Sequence, residues 1–354
     1  MPNIKTLIER LSITEFLQRQ QAEGLPVADV RSPGEFRQGH IPGAENIALF
    51  DDEERKTVGI LYKQTGREAA VMKGLELVGP KMADLARSAQ TLAVGQELLV
   101  HCWRGGMRSE SMAWLWSTAG LRVGVLQGGY KAFRNHLLAT LATPLRLVVL
   151  GGKTGSGKTH ILHALRAQGE QIIDLEAIAH HKGSSFGAIG EAPQPTVEQF
   201  ENDLYAALRQ LDPSLPIWVE DESHAIGRVF IPQPLWQQMR QAPVVALDIP
   251  EDLRLDRLVQ DYASGDWDTE LEAALLRIGR RLGGQALQSA LDALHRRDYA
   301  GTARIALHYY DKTYSYGLEQ RPAHLRHTLA FDTWVPDQLA TALISFRINQ
   351  LSDL

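Results

Sequence analysis

Short apolar runs recur along the first part of the chain at 26–30, 98–102 and 123–126, with amphipathic stretches between them. Runs of this length bounded by turn residues read as buried strands, and their alternation with helical patterns predicts a parallel, doubly wound α/β sheet. Between the last two runs, residues 109–121 carry Met112, Trp114, Leu115 and Trp116 on an apolar helical face that Gly120 helps to end. The pattern breaks at Leu141-Ala-Thr-Pro144, because Pro144 disfavours helix at the residue before it and a new apolar strand, 145–150, follows at once. Further runs at 171–174, 216–219 and 244–248 read as strands, with helical stretches such as 196–210 between them, and from about Asp252 onward the pattern is mostly helical. Two domains are therefore expected: an α/β sheet domain over 1–140, and a second α/β domain over 145–354 with a helical C-terminal part from about 252.

Composition agrees with two packed domains. The 354 residues exceed what one hydrophobic core usually supports, and 44% hydrophobic with 22% charged residues excludes a disordered or fibrous chain. The first residues, Met-Pro-Asn-Ile-Lys, lack the charged and apolar regions of a signal peptide, and no apolar run approaches the roughly 20 residues that span a bilayer. A cytoplasmic protein without membrane contact is expected. One cysteine excludes an intramolecular disulfide and a Cys-rich zinc site, leaving Cys102 as a packing residue or a reactive thiol. A net charge of −5 argues against wholesale electrostatic binding of nucleic acid. Locally, however, Arg277, Arg280, Arg281, Arg296 and Arg297 face only Asp292 within their own stretch, a candidate tRNA-backbone contact or simply a solvated helix surface.

Two loops carry the chemistry. Cys102, Trp103, Arg104, Gly105, Gly106, Met107, Arg108 and Ser109 join a strand to a helix, and the two glycines let the backbone curl several N–H groups toward one point. Those donors, the positive helix N-terminus, Arg104 and Arg108 should favour the thiolate, the form that attacks. The five residues between Cys102 and Arg108 also match the Cys-x5-Arg loop of cysteine-dependent phosphatases, wide enough for a phosphate-sized oxyanion with Arg108 as a bidentate partner. The second loop, Gly152, Lys153, Thr154, Gly155, Ser156, Gly157, Lys158 and Thr159, fits G-x-x-x-x-G-K-[ST], follows an apolar strand and runs into a helical pattern. Its backbone N–H groups would wrap a diphosphate, Lys158 would add a point charge and Thr159 could hold magnesium. Glu220-Asp-Glu222 stands where a second acidic motif would reach that magnesium, with Glu220 and Asp221 as its candidates; capping or solvated residues are the other reading. His180, His181 and His224 have no metal-ligand spacing and are expected as polar loop or core residues; no resident metal site is expected.

Asp29-Val-Arg-Ser-Pro-Gly-Glu-Phe-Arg-Gln-Gly-His-Ile-Pro-Gly-Ala-Glu-Asn46 resembles the N-terminal signature of rhodanese domains, and Gln127-Gly-Gly-Tyr-Lys-Ala-Phe133 resembles the segment after their last strand. Within it, Asp29, Arg31 and Glu35 are assigned mainly to turn and capping chemistry. A rhodanese-like domain with this cysteine loop, placed ahead of a P-loop domain, resembles the bacterial tRNA 2-selenouridine synthases over nearly the whole length; the motifs carry the match and the part from about Asp252 follows by order and length. The resemblance implies that Cys102 handles the chalcogen, that Arg104, Arg108 and the loop N–H groups bind an oxyanion, and that Gly152 to Thr159 bind a diphosphate. It further implies selenophosphate and geranyl diphosphate as co-substrates, tRNA with wobble 2-thiouridine as substrate, and a selenophosphate-supplying enzyme as partner. Whether the P-loop also takes ATP is left open. The rival readings are a Cys-x5-Arg phosphatase fused to a P-loop kinase or ATPase, and a nucleotide-regulated sulfur carrier that changes no RNA.

Overall fold

Five short strands, β1 (Ile8–Leu11), β2 (Val27–Asp29), β3 (Ala44–Asn46), β4 (Glu97–His101) and β5 (Arg122–Leu126), form a wholly parallel sheet in the order β1-β5-β4-β2-β3. Parallel neighbours need crossovers, which the helices supply: α1 (Ile13–Ala22), α2 (Pro33–Gln38), α3 (Asp52–Gln64), α4 (Arg67–Val78), α5 (Met82–Leu92), α6 (Met107–Thr118) and α7 (Gly129–Leu141). Three of them begin at capping boxes, Ser12 with Glu15, Ser32 with Glu35 and Asp51 with Glu54. The apolar faces of β2, β4 and β5 close over Met112 and Trp116 of α6, so β4 is the buried central strand.

The second sheet repeats this plan. Strands β6 (Leu147–Gly152), β7 (Gln171–Ile173), β8 (Ile217–Glu220), β9 (Ala225–Ile226), β10 (Val229–Phe230), β11 (Val244–Asp248) and β12 (Arg326–Ala330) alternate with α8 (Lys158–Ala167), α9 (Leu175–Ala179), α10 (Val197–Leu208), α11 (Gln233–Gln241), α12 (Glu251–Ala263), α13 (Asp268–Leu282), α14 (Gly284–His295), α15 (Tyr299–Glu319) and α16 (Pro336–Gln350). The parallel order is β12-β11-β6-β8-β7, again with the loop-bearing strand, β6, in the middle, while β9 and β10 pair as a separate hairpin. The computed structural model describes residues 7–263 and 265–351, and it divides into two units, Met1–Thr140 and Leu141–Leu354. Among the described residues no helix is long and apolar enough to cross a membrane.

Two local readings change. The region beyond Asp252 is not only helical, because β12 pairs with β11 and completes the sheet; its half-exposed Arg-His-Thr-Leu-Ala gives no apolar run to read. Helix α6 starts at Met107 rather than 109, which puts Arg108 and Ser109 in its first turn.

Candidate functional site

Cys102 to Gly106 bridge β4 and α6. Gly105 has φ of +64°, and a Cβ there would lie 2.7 Å from the Leu126 carbonyl oxygen and 2.8 Å from the Gly128 nitrogen. The loop thus rests directly on the Gly128-Gly129 turn, where the Tyr130 N–H donates to the Cys102 carbonyl at 2.8 Å and the Lys131 N–H to the Trp103 carbonyl at 3.0 Å. This gives the Gln127-Gly-Gly-Tyr-Lys segment a job: it backs the loop. Only 3% of Cys102 is exposed, and the Ser109 hydroxyl donates to its sulfur at 3.3 Å. Burial pushes the thiol up, but the Ser109 hydroxyl and amide, the Arg104 amide and the Arg108 charge outweigh it and hold the thiol below its ordinary range. The loop therefore stabilises a thiolate. Trp103, Arg104 and Met107 are exposed around it.

Arg108 does not stand free beside the sulfur. Its guanidinium forks onto Glu35, with Nη1 donating to Oε2 at 2.7 Å and Nη2 to Oε1 at 3.3 Å, and Arg55 lies 3.6 Å from the same carboxylate. Burial pushes Glu35 up, yet Arg108 and the Ser32 amide hold it below the usual carboxylate range. Asp29 and Arg31 sit deeper, as a buried ion pair at 2.6 Å with Arg31 stacked 3.8 Å over the Tyr130 ring. The Arg31 amide also donates to Asp29 Oδ1 at 2.9 Å, a turn bond.

In the second unit, Gly152, Gly155 and Gly157 take φ of +150°, +82° and +76°. A Cβ on Gly157 would meet Trp334 Nε1 at 2.6 Å and Arg257 Nη1 at 2.8 Å, and one on Gly155 would meet the Arg254 carbonyl at 3.0 Å. Helix α12 and Trp334 therefore pack on the loop's backbone. The Trp334 indole donates to the Ser156 carbonyl at 3.2 Å, and buried Arg254 donates to the Thr154 carbonyl at 3.0 Å while ion-paired to Asp311 at 2.7 Å. Lys158 Nζ donates to the Gly152 carbonyl at 3.2 Å, which curls the lysine over the loop, and the Thr159 hydroxyl donates to Glu176 at 2.9 Å. Lys153 is half-buried.

The acidic triplet separates into three roles. Glu220 is inside β8, fully buried, and accepts the Leu175 amide at 2.8 Å; burial pushes its carboxyl well above the usual range. Asp221 pairs with buried Arg321 at 2.6 Å. Glu222 faces the loop: burial and then the neighbouring Glu176 push it up to about 8 against the pull of Lys158. Glu176 accepts from Thr159 and Glu222 feels the charge of Lys158, whereas Glu220 is turned to the Leu175 amide and Asp221, which also lines the cavity over the loop, is paired with Arg321. A cavity of about 690 Å³ opens over the loop, walled by Trp236, Tyr309, Tyr310 and Tyr314. Among the described residues no three His, Cys, Asp or Glu side chains are grouped to hold a metal ion.

Both units match known families. Residues 12–136 match the rhodanese-like domain, and residues 145–332 match the tRNA 2-selenouridine synthase AAA domain. The chain is 36% identical over 347 residues to the tRNA 2-selenouridine synthase of Bdellovibrio bacteriovorus, covering 84% of this chain and 90% of that one. The proteins of the same name from Sulfurovum sp. and Hydrogenovibrio crunogenus are 35% and 34% identical; the alignments cover 85% and 89% of this chain and 90% and 95% of theirs. The chain belongs to the tRNA 2-selenouridine synthase family.

In this member of the family, the basic stretch is less unified than its sequence suggests. Arg297 lies 3.6 Å from Asp268 at the start of α13, whereas Arg280 stands twelve residues further along that helix, about 18 Å away at 1.5 Å per residue. The α13–α14 hairpin therefore places Arg296 and Arg297 at one end and Arg277, Arg280 and Arg281 at the other. Arg277 donates to the Ser185 carbonyl at 2.6 Å, and Arg281 lines the cavity over the P-loop. Residues that the sequence reading passed over are Glu176, Arg254, Arg257 and Trp334, while Glu222 entered it only as the end of the acidic triplet. The one available signal was the i, i+3 spacing of Arg254 and Arg257 just after a strand.

Proposed function

We propose that this chain is a tRNA-modifying enzyme that converts wobble 2-thiouridine to 2-selenouridine in two steps, with geranyl diphosphate consumed at the P-loop and selenophosphate at the cysteine loop. The observation that carries the reading is the presence of two independent strand–loop–helix anion cradles in one chain, one armed with a thiol and the other with a lysine. The family's relatives bear the name of the product.

In the first step the thiocarbonyl sulfur attacks the allylic carbon, the C–O bond breaks with its electron pair leaving on diphosphate, and the base loses its N3 proton. Lys158 and the loop amides stabilise the departing charge. Alkylation turns sulfur into a leaving group. In the second step the Cys102 thiolate adds at C2 and geranylthiolate departs, selenium of selenophosphate then displaces the thiolate from C2, and water cleaves the P–Se bond to release phosphate. The Cys102 thiolate is the chalcogen-handling group of that step, with Arg104, Arg108 and the loop amides around the oxyanion. Thr159 and Glu176, with Glu222 once it loses its proton, would hold any magnesium that accompanies the diphosphate, and the ion would offset the charge of the diphosphate oxygens.

Nucleoside analysis of tRNA tests the assignment. Cells whose only copy is Cys102→Ser should contain no 2-selenouridine and should accumulate S-geranyl-2-thiouridine, because a hydroxyl is a poor nucleophile at neutral pH. Near-normal 2-selenouridine would overturn it.

A further inference from the structure

Two arginines three residues apart on α12 are held in opposite ways. Arg254 is neutralised, with Nη1 and Nη2 donating to Asp311 at 2.8 and 2.7 Å. Among the described residues Arg257 has no carboxylate within hydrogen-bond reach; Asp261 approaches only to 3.8 Å and is itself 43% exposed. The Arg257 guanidinium instead lies over the Trp334 ring, 3.9 Å from its centre, and Nη2 contacts Nδ1 of the exposed His160 at 3.2 Å. Its Nε is buried with no acceptor. For Nδ1 to accept from a cation, His160 must be uncharged.

A π face and a neutral imidazole leave the charge of Arg257 intact. Only 8% of the residue is exposed, and its one counterion, Asp261, stands no nearer than 3.8 Å and is half-exposed. A closer anion would be stabilised there. The direction in which that anion belongs is set by Gly157: Arg257 Nη1 is 2.8 Å from where a Cβ on that glycine would stand, so the guanidinium lies against the phosphate-binding loop itself and opens onto the cavity above it.

We propose that Arg257 is a phosphate-contacting residue supplied in cis by α12, its guanidinium carried on Trp334 and His160 and donating to an oxygen of the diphosphate held by Gly152 to Thr159. The proposal rests on the diphosphate reading of the P-loop. During transfer the C–O bonding pair departs on the diphosphate, and Arg257 gains and loses no proton; it donates hydrogen bonds to an oxygen whose negative charge is growing. Trp334 and His160 are positioning residues. The requirement is for a planar fork that can stack and donate together, which lysine cannot supply.

Calorimetric titration of the full chain with inorganic diphosphate tests this. Arg257→Ala should weaken binding about 10- to 100-fold, the range for a hydrogen bond to a charged group. Arg257→Lys should recover only part of the loss. Millimolar methylguanidinium should restore the affinity of Arg257→Ala, whereas sodium chloride of equal ionic strength should not. If Lys158→Ala binds diphosphate as tightly as the parent, the P-loop reading itself fails. If Lys158→Ala loses diphosphate while folded Arg257→Ala retains it, only the assignment of Arg257 is overturned. A loss that methylguanidinium does not repair makes Arg257 a buttress of the loop and likewise overturns the contact. Should Arg257→Ala not fold, parent-like affinity in Arg257→Lys is the overturning result.

Discussion

The cysteine loop and the P-loop are built on the same plan and differ in what occupies the first positions. Each leaves the carboxyl end of the central strand of a five-stranded parallel sheet, curls through positive-φ glycine, Gly105 in one loop and Gly152, Gly155 and Gly157 in the other, and ends at a helix N-terminus. Such a turn aims backbone N–H groups at one point and binds an anion whatever its side chains are. In the first unit the anion cradled within the loop is the protein's own, the Cys102 thiolate, and the nearest guanidinium, Arg108, is matched by Glu35. In the second, Lys158 bends back onto the loop and Arg257 lacks a carboxylate partner in hydrogen-bond contact. One loop holds a thiol beside a guanidinium matched by a carboxylate; the other carries a lysine curled over its backbone and an arginine whose carboxylate stands no nearer than 3.8 Å. The geometry is shared, and the side chains set on it differ.

The comparison can be broken at Arg108. If its fork turns from Glu35 to a selenophosphate oxyanion, Arg108→Lys should reduce use of selenophosphate by roughly 10- to 100-fold, the worth of a bidentate charged contact, while leaving tRNA affinity nearly unchanged. Equal losses in steady-state kinetics and in a tRNA-binding assay would make Arg108 a structural partner of Glu35.

A smaller effect is expected at Ser109, whose hydroxyl bonds the sulfur. The thiol of Cys102 is held below its ordinary range, so its thiolate persists to lower pH than that of a free cysteine and is lost as pH falls through the depressed value. Ser109→Ala should move the pH profile of alkylation by a small electrophile upward and slow the reaction several-fold at neutral pH. An unmoved profile would leave the backbone amides and Arg108 as the whole cause.

The smallest effect concerns Glu222, the protonated carboxyl of the P-loop side. Its carboxyl, pushed up to about 8 by burial, lies above the ordinary 4.5, so between those limits the unfolded chain has released a proton that the folded chain keeps. Stability must then fall as pH rises through that window and level off above it. Glu222→Gln should flatten this dependence in denaturant titrations from acid to mildly alkaline pH; parallel curves for the two proteins would show that Glu222 ionises normally.

Local patterns made the architecture legible. The 244–248 run is β11 residue for residue, and both functional loops fall between a buried strand and an amphipathic helix as their apolar patterns require. The weak points are those where distant residues decide. β12 has no apolar run because it is a half-exposed edge, and no local rule shows that it will pair with β11. Arg108 meets a carboxylate 73 positions away and Asp221 a guanidinium 100 positions away, so each residue type was noticed while its partner was not. The basic stretch shows the opposite: residues near in sequence are carried apart by a helical hairpin. Arg257 gave almost no signal, since its significance lies in what it lacks, a carboxylate, and in the Trp334 ring beneath it.

The division of labour between the two loops is tested most directly by giving purified variants each half-reaction alone. With 2-thiouridine tRNA and geranyl diphosphate, Lys158→Ala should form no S-geranyl product while Cys102→Ser forms it at the parent rate. With pre-geranylated tRNA and selenophosphate, Lys158→Ala should produce 2-selenouridine and Cys102→Ser none. Normal geranylation by Lys158→Ala, or a requirement for ATP hydrolysis by the parent protein in that step, would contradict the account.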